Sequence, residues 1–187
     1  QVLSRFTKSK NDITIPACPK FQSPRKLTDV YPSHPMGPQQ SEQSFLSWLL
    51  GENSSLMDVM EAELLSRVLL DHHTSPLINS LLNSNLISAP SEFCGVDVEC
   101  KSISLTCCFE PTDPTKINEI ESSILKTLNH LADDGMPTEV LGEVLDALAI
   151  EKLDIENDFM PYSIKLLLDV LPAAIHGANP NQMLAVE

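Results

Sequence analysis

Residues 93–110 read Phe93-Cys94-Gly95-Val96-Asp97-Val98-Glu99-Cys100-Lys101-Ser102-Ile103-Ser104-Leu105-Thr106-Cys107-Cys108-Phe109-Glu110. Val96, Val98 and Cys100 alternate with Asp97 and Glu99. Ile103, Leu105, Cys107 and Phe109 then alternate with Ser102, Ser104, Thr106 and Cys108. Side chains on a strand point to opposite faces in turn, so this period of two predicts two strands, each with one dry and one wet face. A sheet wet on one face is antiparallel.

Upstream, the short apolar string over 43–50, QSFLSWLL, is bounded by Gly51-Glu52-Asn53 and reads as a further strand. Between the strands the period is helical. Ser55 stands three residues before Asp58 as a cap, and Met57, Met60, Leu64, Leu65, Val68 and Leu69 repeat at helical spacing to about Leu70. Ser75-Pro76 then starts a shorter helix with a capping hydroxyl and a proline in the first turn, reaching about Asn83.

After Glu110 only helices are expected. Asp113-Pro114 opens one with Ile117, Ile120, Ile124, Leu128 and Leu131 in a stripe and Gly135 as its stop. Pro137 opens another, with Leu141, Val144, Leu145, Leu148 and Ile155 inward. Pro161 opens a third, with Ile164, Leu167, Leu168, Leu171 and Ile175 inward, a kink at Pro172 and a stop at Gly177, and Asn179-Pro180 caps one more. Strands early and helices late make an α+β domain, with amphipathic helices on one face of an antiparallel sheet.

The chain has 187 residues, 42% apolar and 20% charged, which suits one domain with an appendage rather than two cores. Residues 1–44 hold six prolines and six basic residues against three acidic ones. Proline at that density blocks helix and removes backbone donors, so 1–44 is expected to be an extended linker leading into a domain over 45–187. Within it the extended apolar pieces Ile13, Ile15 and Phe21 suggest contact with another surface. The chain starts at Gln1 without Met or a signal-peptide core, which suggests a segment of something longer.

Net charge is −14, and residues 110–187 hold 15 acidic against four basic residues. That field repels phosphate backbones and anionic headgroups, so neither nucleic acid nor membrane is an expected partner. The acidic excess reads as the wet faces of helices. Five cysteines without a CxxC pair suit free thiols in a reducing compartment, cytoplasm or organelle matrix.

The sequence carries few residues in chemically suggestive patterns. A zinc hydrolase would show HExxH or HxxEH, and neither occurs. His72 and His73 are adjacent and would diverge on a helix, so they read as helix-terminal cations, as does His130 before Gly135. Cys107 belongs to a dry strand face, where burial makes a thiol inert. Cys108 belongs to the wet face with no histidine nearby in sequence. Cys94, Cys100 and Cys107 are spaced by six and seven positions, unlike a structural zinc hook. GxGxxG, GxxxxGK[ST] and GxSxG are missing too, and Met57, Met60, Met136, Met160 and Met183 read as core filling. No catalytic, cofactor-binding or metal residue is therefore expected.

The stretch from Trp48 to Glu187 resembles the non-catalytic second domain of pitrilysin/insulinase-type zinc peptidases, in the presequence protease branch. The residues concerned are Leu69-Leu70, Ser75-Pro76-Leu77, Gly95, Ile124-Leu125-Lys126-Thr127-Leu128, Gly135, Ala149-Ile150-Glu151, Pro161-Tyr162-Ser163-Ile164-Lys165-Leu166-Leu167 and His176-Gly177-Ala178-Asn179-Pro180.

That resemblance implies an inverzincin metalloprotease whose HxxEH zinc site lies in another domain and which degrades unfolded peptides in a closed chamber. This chain would be an inactive structural domain, without zinc of its own, that buttresses the catalytic domain and forms part of the chamber wall. Its partners would be the parent's other domains and the parent's unfolded peptide substrate. The alternative on the same fold is a catalytically dead subunit of the processing-peptidase or respiratory-complex core type. A sheet-free acidic adaptor is a third reading, which the alternation over 96–109 opposes.

Overall fold

The computed structural model describes residues 5, 7, 15–31, 42–71, 75–91, 93–153 and 160–184. Its order is β1 (Ser44–Glu52), α1 (Leu56–Ser66), a π-helical turn (Arg67–Asp71), α2 (Pro76–Asn83), β2 (Ile87–Pro90), β3 (Gly95–Asp97), β4 (Ser102–Pro111), a 3-10 turn (Pro114–Lys116), α3 (Ile117–Asp134), α4 (Thr138–Leu153), α5 (Tyr162–Ile175) and α6 (Pro180–Met183). The fold is α+β around a four-stranded antiparallel sheet.

β4 is the axis of that sheet. β1 lies antiparallel along one side of it, from Ser44 opposite Phe109 to Glu52 opposite Ser102, with a register shift between Leu49 and Glu52. That irregularity carries β1 past Gly51, where the sequence suggested a stop. On the other side two short strands share the edge, β2 beside Phe109–Pro111 and β3 beside Ser104–Thr106. The strand expected over 96–100 is thus only Gly95–Asp97, and Cys100 falls in an exposed bend. β2 had no legible alternation, because only Ile87 of its four residues is buried.

Ile103, Leu105, Cys107 and Phe109 point from β4 into the core, as their alternation predicts. The main cluster joins Leu105, Cys107 and Phe109 to Leu69, Leu77, Leu81, Ile120 and Ile124, so α2, α3 and the π-helical turn cover one face of the sheet. Three successive residues of that turn, Val68, Leu69 and Leu70, are buried. They serve two sides: Leu69 and Leu70 join the main cluster, while Val68 meets Val140, Val144 and Leu148 of α4.

The entry to α1 is tied to β1. Asp58 accepts the Glu52 N–H at 2.9 Å and the Ser55 hydroxyl at 2.9 Å, while Ser55 Oγ accepts the Asp58 N–H at 3.3 Å. The Glu52 N–H, then Ser55, hold the Asp58 carboxyl below its ordinary value. Gly51 leaves room for this, since a Cβ there would stand 2.0 Å from Asp58 Oδ2.

Several inward assignments are corrected. Ser75 makes no cap bond to α2; its hydroxyl turns back to the Arg67 carbonyl at 3.5 Å. Met57, Ile117 and Met160 are exposed. Leu145 is 48% exposed, because α4 is rotated to set Val140, Val144 and Leu148 against Val68. On α5 the buried residues are Val170 and Ala173, whereas Ile164, Leu167, Leu168, Leu171 and Ile175 are exposed. Ile155 lies outside the described residues. Gly135 (φ +86°) ends α3 and Asn179 caps α6 through the Asn181 N–H at 3.0 Å, both as expected.

Residues 15–31 form no helix or strand and are exposed throughout. They touch the body through Lys101 Nζ donating to the Ile15 carbonyl at 3.0 Å, the Cys18 N–H donating to Ser102 Oγ at 3.4 Å, and an ion pair of Lys26 with Glu121.

Ile124 is fully buried and Leu145 is half exposed, so the two positions separate core from surface. Ile124→Ala is expected to cost about 2–5 kcal/mol and Leu145→Ala less than about 1 kcal/mol, measured by chemical denaturation. Equal costs would contradict the rotation of α4.

Candidate functional site

Chemistry-bearing side chains gather where the broken edge meets β4, between Pro90 and Gly95. Gly95 sits at φ +135°, outside the range other residues adopt readily, and turns the chain back into pairing. Cys94 fills the gap in the ladder. Its thiol donates to the Cys108 carbonyl at 2.7 Å and accepts the Cys108 N–H at 3.0 Å, and the Ser91 N–H shares that carbonyl at 3.0 Å. A side chain thus satisfies backbone groups that a regular strand would have paired.

Cys107 is buried in the main cluster. Burial, with Cys94 and Cys108 adding to it, pushes its thiol up to about 12. Burial also raises the thiols of Cys94 and Cys108, the latter opposed by a hydrogen bond from Ser91. Each is therefore a neutral thiol near pH 7 and a poor nucleophile.

Cys108 corrects the sequence reading. It lies on the open face of the sheet with Ser104 and Thr106, yet it has 0% exposure. Phe45 of β1 stands directly across from it, and the Phe45 ring meets Phe93 with centroids 6.3 Å apart. This aromatic pair was not singled out in the sequence. The available signal was the phase of β1, which sends Leu46 and Trp48 to the core and Phe45 to the other side. Beside the pair runs a shallow trough floored by Ser47 and Thr106, whose hydroxyls bond at 2.9 Å, and bordered by Gly95, Val96 and Asp97.

The remaining candidates are not brought together. His130 Nδ1 pairs with Asp134 Oδ2 at 2.6 Å on the exposed last turn of α3. Cys18 and Cys100 are exposed free thiols. His72 and His73 lie outside the described residues. Among the described residues no three His, Cys, Asp or Glu side chains converge as a metal ion would require, and no described helix is long and apolar enough to cross a membrane.

Residues 1–148 match the peptidase M16 inactive domain. The chain is also similar to proteins named "Presequence protease, mitochondrial". It is 22% identical to that of Xenopus tropicalis over 189 positions, covering 98% of this chain and 18% of that protein. The Gibberella zeae protein is 24% identical with the same shares, 98% and 18%. That of Emericella nidulans is 27% identical over 71% of this chain and 13% of its own length. The chain therefore spans less than a fifth of the length of these relatives.

A thiol raised from 9.0 to about 12 keeps its proton longer in the folded than in the unfolded state. Its contribution to stability is fully present below pH 9.0 and is lost as pH climbs toward about 12. Denaturation curves across that window are expected to fall more steeply for the wild type than for Cys107→Ala, which is less stable overall. At pH 8, alkylation followed by mass spectrometry is expected to label Cys18 and Cys100 well before Cys107 and Cys108. Parallel pH slopes together with rapid labelling of Cys107 would contradict the buried placement.

Proposed function

The chain belongs to the peptidase M16 family as an inactive domain, and from that premise we propose that it is a non-catalytic structural domain of a zinc metalloendopeptidase acting on unfolded peptides. The observation that carries this reading is the match of 1–148 to a domain described as inactive. In this role it buttresses the catalytic domain and forms part of the wall of the peptide chamber.

Zinc activation of water needs several donors held in place around an open coordination position. The described residues do not fit that requirement. In this proposal zinc belongs to another part of the parent, and no catalytic, cofactor or metal role is assigned to the described residues of this chain. A neighbouring domain contributes position and enclosure instead.

The relatives are named mitochondrial, which supports an organelle matrix as the compartment, and free thiols suit it if it is reducing. Residues 1–44 serve as a connector into the domain over 45–187. The net −11 of residues 110–187, from 15 acidic and four basic residues, favours basic peptides through its long-range potential.

Isothermal titration of the isolated chain with zinc is expected to show no tight binding, and incubation with an unstructured basic peptide no cleavage. Tight zinc uptake at one site, or turnover by the isolated chain, would overturn the assignment.

A further inference from the structure

We propose that the outer face of α5 is the seat of an apolar helix from the remainder of the same longer polypeptide. The proposal rests on reading the chain as one domain of a larger protein, and it names a surface by which that domain is held.

Ile164, Leu167, Leu168, Leu171 and Ile175 recur at spacings of three and four residues and so form one stripe along the helix. All five are 42–61% exposed. Scattered surface leucines need no explanation, but an unbroken apolar stripe on one helix marks an interaction surface. The helix already has an inner side, since Val170 and Ala173 are buried. The outer stripe is therefore a second face. Fraying does not produce it: α5 ends in an ordered stop, with Gly177 at φ +96° and the Ala178 N–H bonded to the Ala173 carbonyl at 3.0 Å.

The choice of occupant follows from coverage and charge. The Xenopus tropicalis relative aligns with 98% of this chain, which is only 18% of its own length, so α5 corresponds to a region of a polypeptide with most of its chain still to be packed. A second copy is a poorer occupant, because each copy carries a net charge of −14. The geometry selects a helix: side chains three and four apart form ridges that receive a second helix at about 8–10 Å between axes. Lys165 and Asp169 give α5 both signs of charge, so the partner's recognition is apolar rather than ionic.

The test compares the isolated chain with the full-length parent, each carrying Leu167→Lys together with Leu171→Lys. Lysine is a good helix former, so an exposed α5 tolerates the change. The isolated chain is expected to keep its Tm, while the parent's Tm falls by about 1 °C or more, the shift per kcal/mol shrinking as the chain grows. Hydrogen exchange across 162–175 is expected to be slow in the parent, fast in the isolated chain, and fast again in the variant parent. An equal Tm shift in both proteins would overturn the proposal, as would an unshifted parent whose α5 exchanges as fast as the isolated chain. A wild-type chain that dimerises in light scattering, with a monomeric variant, would overturn it in favour of a contact between copies. None of these readings uses peptidase activity, so a parent lacking that activity would sink the functional assignment and leave this test intact.

Discussion

The seating of β4 beneath α2 and α3 is the contact on which the other elements depend. Leu105, Cys107 and Phe109 on one side and Leu77, Leu81, Ile120 and Ile124 on the other are all buried in a single cluster. β1 takes its register from β4, β2 and β3 exist only as its partners, and the π-helical turn brings Leu69 and Leu70 to the same cluster. Loss of that apolar contact would leave a broken three-residue strand and a four-residue strand with nothing to pair. α4 joins secondarily, through Val68.

How far this was legible depended on whether one element's pattern determines its neighbours. β4 was readable because its alternation coincides with a single dry face. α3 was readable because Ile120 and Ile124 lie in a clear stripe that stops at Gly135. α4 and α5 carry apolar residues around much of their circumference, and local period cannot choose between overlapping stripes. Only the position of Val68 decides that Val144 turns inward and Leu145 outward. Cys108 was misplaced for a related reason: a strand's own alternation says nothing of a phenylalanine opposite it on the neighbouring strand.

The sequence carries no catalytic motif to read, and what the structure adds is the surroundings of three thiols. Cys94 repairs the ladder at the strand break, Cys107 fills core, and Cys108 lies buried opposite Phe45 of β1. Burial holds all three protonated, which favours packing and removes the thiolate that nucleophilic chemistry requires. The match of residues 1–148 is to a domain described as inactive.

The most direct measurement is zinc content beside kcat/KM in the full-length protein carrying Phe109→Ala, which weakens the seating of β4 without removing any histidine. A scaffold domain predicts that kcat/KM falls while zinc per chain stays at the wild-type level. Loss of zinc in proportion to activity, in protein that remains folded, would place a metal-binding role in this chain and contradict its assignment as inactive.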